Sequence, residues 1–162
     1  AFFPLFAIRC GINNPGYFFT TVAAMLIISR LLGGKMVENH GKRKTIVFAI
    51  LLMFSSLLLL SFSKTLPLFI IVGIIWGTGF GLLFPISMAY SLEYAGSSGG
   101  TAVATFQAFI DLGIATGPIA AGVLVPLTGY PSMFLCLALV CLINLLYFQT
   151  YLRQKVQTIR IS

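Results

Sequence analysis

The chain has 162 residues, of which 59% are hydrophobic and only 8% are charged, with a mean hydropathy of +1.03. An ordinary soluble domain is about a quarter charged, and ten cations with three carboxylates cannot clothe a 17.6 kDa globule, so the soluble classes are excluded. The net charge of +7 and pI near 9.7 would suggest a nucleic-acid partner only if the cations did not sort by topology.

At roughly 20 apolar residues per crossing the length allows five or six spanning helices. The apolar runs are long and continuous, not the short alternating segments of a transmembrane barrel. The fold class expected is therefore all-α, a polytopic helical membrane protein. Residues 1–10 (AFFPLFAIRC) read as the end of a truncated preceding span, cut off upstream. They carry neither the basic region nor the cleavage site of a signal peptide, and the chain starts without Met, as a fragment would. The turn Gly11-Ile12-Asn13-Asn14-Pro15-Gly16 leads into a first complete span, 17–34. A polar, basic loop from Lys35 to Lys44 follows, then a second span, 45–63, closed by Lys64-Thr65-Leu66-Pro67. The third span, 68–92, contains Pro85, and the linker Tyr94–Gly100 leads into a fourth, 101–127. Thr128-Gly129-Tyr130-Pro131 is a tight turn before the fifth span, 132–152, and 153–162 form a polar, basic tail.

Five crossings put Lys35, Lys42, Arg43, Lys44, Arg153, Lys155 and Arg160 on one side and only Arg9 and Lys64 on the other, with Arg30 inside the first span. Cation excess marks the cytoplasmic side, so the 35–44 loop and the C-terminus are expected there. Topology absorbs the basic excess, and no nucleic-acid partner is needed. The sixteen glycines avoid residues 42–72 and 130–162. The second and fifth spans therefore suit the lipid-facing periphery. The third carries Gly73, Gly77, Gly79, Gly81 and Pro85, and the fourth Gly113, Gly117, Pro118 and Gly122. Small residues let backbones approach and Pro or Gly permits bending, so this pair is expected at a moving interface or a cavity, although ordinary helix packing uses the same residues.

The loop Gly34-Lys35-Met36-Val37-Glu38-Asn39-His40-Gly41-Lys42-Arg43-Lys44 resembles the signature loop of the major facilitator superfamily of secondary transporters, G-x-x-x-D-[RK]-x-G-x-[RK]-[RK]. Gly34, Glu38, Gly41, Arg43 and Lys44 match, with Glu38 in place of Asp, while Asn39 departs from the usual cation. The run Gly113–Gly122 resembles the G-x-x-x-G-P-x-x-G-G signature of the drug/proton antiporter branch, with Ala121 replacing one glycine. That signature belongs to the fifth helix, and the two halves of such transporters are structural repeats. The third span lacks the Arg that usually opens the fourth helix, and a basic tail follows the fifth span. The resemblance therefore implies the C-terminal half of a twelve-helix protein, helices eight to twelve, with the N-terminal half missing. It further implies alternating access in a bacterial inner (plasma) membrane, coupling to protons and export of a small organic substrate, drug or metabolite.

Polar residues within the spans are few. Asp111 lies about ten residues into the fourth span, roughly 15 Å deep, where an ionised Asp costs about 2.5–3.5 kcal/mol. Gln107 shares its face one turn earlier. These two are the candidate cavity or proton site, with a structural hydrogen bond, for instance to Asn144, as the other reading. Glu93 ends the third span near the depth of Arg30 and Arg43, and a salt bridge among them is expected. The aromatics Trp76, Phe80, Phe84, Phe106 and Phe109 suit either a hydrophobic pocket or packing. His40 is a solvated loop residue on this reading. Cys136 and Cys141, about 140° apart on a helix, cannot bridge, and Cys10 stands far from both in sequence. One His, three carboxylates and scattered cysteines form no nucleophile–base or metal set, so neither an enzyme, a cofactor nor a metal site is expected. The alternative to a transporter is a self-contained membrane scaffold or assembly protein.

Overall fold

A computed structural model describes residues 2–11, 14 and 16–161, and the side chains of these except at positions 4, 94, 97 and 151–161. Ile12, Asn13 and Pro15 of the expected first turn, and the side chains of the tail cations Arg153, Lys155 and Arg160, thus lie outside the described set. The described chain is helical and contains no strand. In order, the elements are α1 (Phe3–Arg9), α2 (Gly16–His40), α3 (Lys42–Phe62), α4 (Leu66–Ala95), a 3-10 turn (Gly96–Ser98) and a helical run Gly99–Ile161. That run of 63 residues is broken at Gly129, whose φ of 79° and ψ of 168° leave the helical region. It therefore forms two rods, α5 (99–128) and α6 (130–161). α2, α3, α4 and the 99–150 stretch are each long and apolar enough to cross a bilayer.

The corners fall where the backbone demands glycine. Gly41 (φ 81°, ψ 153°) and Gly129 occupy a region essentially closed to residues with a Cβ. Gly41 is a one-residue corner: its N–H donates to Val37 O at 2.8 Å, and its own carbonyl accepts from Thr45 N at 3.2 Å and Thr45 Oγ1 at 2.9 Å. The polar stretch from Lys35 onward is consequently not a loop. α2 continues through it to His40, and α3 starts at Lys42. Polarity does not break a helix. Met36 and Val37 hold these last turns against the α3–α4 cluster. The tail likewise continues α6 as helix to Ile161.

Two apolar clusters organise the bundle. At the end carrying Arg9 and Lys64, Phe3, Phe6 and Ala7 of α1 pack with Phe18, Leu60, Phe69, Ala121, Met133 and Phe134. Phe3 stacks on Phe18 at 3.6 Å between ring centroids, and Phe6 meets Phe69 at 5.7 Å and Phe134 at 5.4 Å. At the opposite end Ile46, Ala49, Ile50, Leu82, Ile86 and Leu145 join α3, α4 and α6.

α4 is central, packed along both α2 and α3. Between apolar helices in lipid the hydrophobic effect gives little, and close approach of backbones does most of the work. Gly73, Gly77 and Gly81 supply that approach toward α2. A Cβ at Gly77 would lie 2.9 Å from both Val22 O and Met25 Cβ, and one at Gly81 would clash with Ser29 Oγ. Gly79 faces α3 instead, with Ala49 O 3.1 Å from its Cβ position. Glycine-free α3 uses other small residues for the same purpose: Thr45, Ala49, Ser56 and Ser61 are buried along it. Ser61 Oγ donates to Pro131 O at 2.9 Å, tying α3 to the start of α6. Its opposite face exposes Phe48 and Leu51, so only that face suits the lipid periphery.

Candidate functional site

α5 differs from every other rod. From residue 107 to 120 each position except Ile110 is exposed, and open space lies beyond Gly113 and Gly117. Within this stretch Gln107 Nε2 donates to Asp111 Oδ1 at 2.9 Å. The one-turn spacing that puts both side chains on one face also makes that bond. Pro118 has no N–H for Ile114 O, and Pro126 none for Gly122 O, so α5 contains two interrupted points in its own ladder. Thr116 Oγ1 donates back to Leu112 O at 2.7 Å. Gly122 is closer to a neighbour, with the Phe2 ring 3.6 Å from its Cβ position. The run Gly113–Gly122 is therefore mostly an open helix face.

Around 100° from the Gln107–Asp111 pair, Phe106 and Ile110 turn toward a cavity of about 390 Å³ bounded by α3, α4, α5 and α6. Phe80, Phe84, Phe148 and Asn144 also line it. Trp76 stacks on Phe80 at 5.1 Å, and Phe84 meets Phe106 at 5.8 Å, so four of the five singled-out aromatics form one file. Phe109 stands apart and is exposed. The structure thus assigns Asn144 and Asp111 to different surroundings. The hydrogen bond of Asp111 goes to Gln107.

At the end carrying Lys42, Lys42 Nζ donates to Glu93 Oε2 at 2.9 Å. Glu93 therefore takes the cation one residue before Arg43, and Arg30 instead lines a cleft of about 370 Å³ between α2 and α4 with Glu38, Gly34 and Lys42. The reason is geometric: the helical continuation of α2 to His40 and the corner at Gly41 swing the first residue of α3 over the end of α4. Glu93 and Lys42 are 60% and 36% exposed, and such a pair contributes at most about 1 kcal/mol. Arg43 and Lys44 line a separate crevice against α6. His40 is the exposed last residue of α2. Among the described residues no group of three His, Cys, Asp or Glu could hold a metal, and all three cysteines are free. The Lys42–Glu93 pair itself was not legible in advance, because treating 35–44 as a loop left the direction of Lys42 open.

The family model for the Major Facilitator Superfamily matches residues 12–160. The chain belongs to the major facilitator superfamily. That is a family of membrane transporters, not enzymes. Among similar curated proteins, an uncharacterized MFS-type transporter of Burkholderia mallei is 28% identical over 127 residues, covering 77% of this chain and 31% of the relative. A Burkholderia pseudomallei MFS-type transporter matches to the same extent. One from Salmonella typhimurium is 28% identical over 144 residues, covering 88% of this chain and 37% of the relative. The chain therefore spans about a third of the length of the curated relatives it matches. No solved structure matches it.

Proposed function

We propose that this chain is the C-terminal bundle of a twelve-helix, proton-coupled exporter of small organic molecules, with α2 to α6 as helices eight to twelve and α5 facing the missing N-terminal half. The observation that carries this reading is the exposed stretch 107–120, which combines a carboxylate–carboxamide pair with open glycines at bilayer depth. Lipid is a poor neighbour for such a face, because an ionised carboxylate at the bilayer centre costs about 2.5–3.5 kcal/mol. A water-filled path between two bundles is a good one, and alternating access moves bundles about a midplane site of this kind. Asp111 is then the proton carrier or substrate anchor, Gln107 holds its carboxylate, and Gly113, Gly117, Pro118 and Gly122 let α5 slide and bend.

On the same reading α1 is the end of helix seven. Its last residues reach the Arg9–Lys64 end, while Phe2 and Phe3 lie deeper, against Gly122, Phe18 and Phe69. The cation count supports a cytoplasmic position for the Lys42 end and the C-terminus of a multi-pass protein of a bacterial inner membrane.

The test uses the full-length protein in inside-out vesicles. An imposed proton gradient is expected to drive uptake of an exported fluorescent substrate in wild type and not in Asp111→Asn, with equal amounts of folded protein in both. Gradient-driven transport retained in Asp111→Asn overturns the carrier role. Absence of transport under any ion gradient in wild type, across a broad panel of organic solutes, overturns the transporter reading of the whole.

A further inference from the structure

The ten cations and three carboxylates of the chain do not cancel locally. Glu93 is held by Lys42, Asp111 by Gln107, and Glu38 lines the α2–α4 cleft. No carboxylate is left for Arg43 and Lys44, which line a crevice of about 240 Å³ with Val47 of α3 and Gln149 of α6. Two full positive charges and a carboxamide thus converge at a helix–helix seam beside Val47, with no counter-charge among the described side chains. The seam also continues away from the charges as an apolar track. One turn on from Lys44 lies Phe48, then Leu51, and nearly one turn back from Gln149 lies Leu146. All three are exposed, Leu146 the most at 55%.

We infer that this crevice between α3 and α6 seats the phosphate of an anionic phospholipid headgroup, whose acyl chains lie along Phe48, Leu51 and Leu146. A soluble phosphate would use the cations and waste the track; a neutral lipid would use the track and leave the cations uncompensated. An anionic lipid fits both, and each basic residue near a membrane surface adds about 1 kcal/mol of attraction to anionic headgroups. The site is independent of which molecule is transported and of whether protons drive it.

The probe is phosphatidylglycerol, bound to the full-length protein in phosphatidylcholine nanodiscs and quantified by native mass spectrometry. The Arg43→Gln/Lys44→Gln double variant is expected to bind it about thirtyfold more weakly, and each single variant about fivefold. Lys35→Gln, which removes a charge from the same end but not from the crevice, is expected to bind as wild type. Swapping the two charges, Arg43→Lys/Lys44→Arg, preserves binding, and inorganic phosphate in excess does not displace the lipid. The single variants carry the test if the double variant does not fold. Unchanged binding in the single and double variants overturns the site. So does an equal loss in Lys35→Gln, which would mean a diffuse surface field, and so does displacement by inorganic phosphate alone, which would mean a free-anion site.

Discussion

α4 and α5 are the two glycine-rich, proline-containing helices, and by sequence they form a matched pair. In the bundle they are opposites. Gly73, Gly77 and Gly81 of α4 are filled spaces, each pressed by a side chain or carbonyl of α2. Among the described residues, nothing lies within 4 Å of the Cβ positions of Gly113 and Gly117 of α5. The same residue at the same four-residue spacing is therefore a weld in one helix and a vacant bearing surface in the other. Composition identifies a helix that can be approached closely; only the neighbour says whether it has been.

The sharpest way to break this contrast is to add a side chain to both helices. Gly77→Leu in α4 has no room and is expected to abolish accumulation of folded full-length protein in the membrane, and Gly77→Ala to cost about 1–3 kcal/mol, read as a lowered thermal midpoint in detergent. At the corner between α5 and α6, Gly129→Ala is expected to destabilise by about 1–3 kcal/mol, because the backbone there is nearly forbidden to residues with a Cβ; denaturant titration measures it. Gly117→Ala in α5 is expected to change stability by less than about 0.5 kcal/mol, while slowing transport severalfold if α5 slides on a partner. A stability loss in Gly117→Ala equal to that in Gly77→Ala would erase the difference between the helices. Least of all, Lys42→Gln and Glu93→Gln in a double-mutant cycle should return a coupling of no more than about 1 kcal/mol, shrinking further at high salt.

Much of the architecture was legible because the bilayer imposes length and apolarity on every crossing. Gly41 and Gly129 punctuated the chain where the backbone needs them. The charges of 35–40 suggest a loop, but α2 runs on to His40, because at a membrane surface a helix can leave the lipid without ending. The lack of glycine points α3 to the lipid-facing periphery, yet Ala49 and Ser56 give its inner face nearly the same closeness. For the candidate site, the face shared by Gln107 and Asp111 followed from helical spacing alone. The choice of Lys42 over Arg30 by Glu93 did not, since it depends on how one corner aims the first residue of α3.

The two ends of the bundle are fastened by different materials. One is a block of interlocked rings, Phe3, Phe6, Phe18, Phe69, Tyr130 and Phe134, whose separation would undo many contacts at once. The other joins α3, α4 and α6 through an aliphatic seam, Ile46, Ala49, Ile50, Leu82, Ile86 and Leu145, with a water-accessible ionic clasp between α3 and α4 at its rim. Broad rings key one end against sliding, while the other is a smoother aliphatic joint with a solvated latch at its edge.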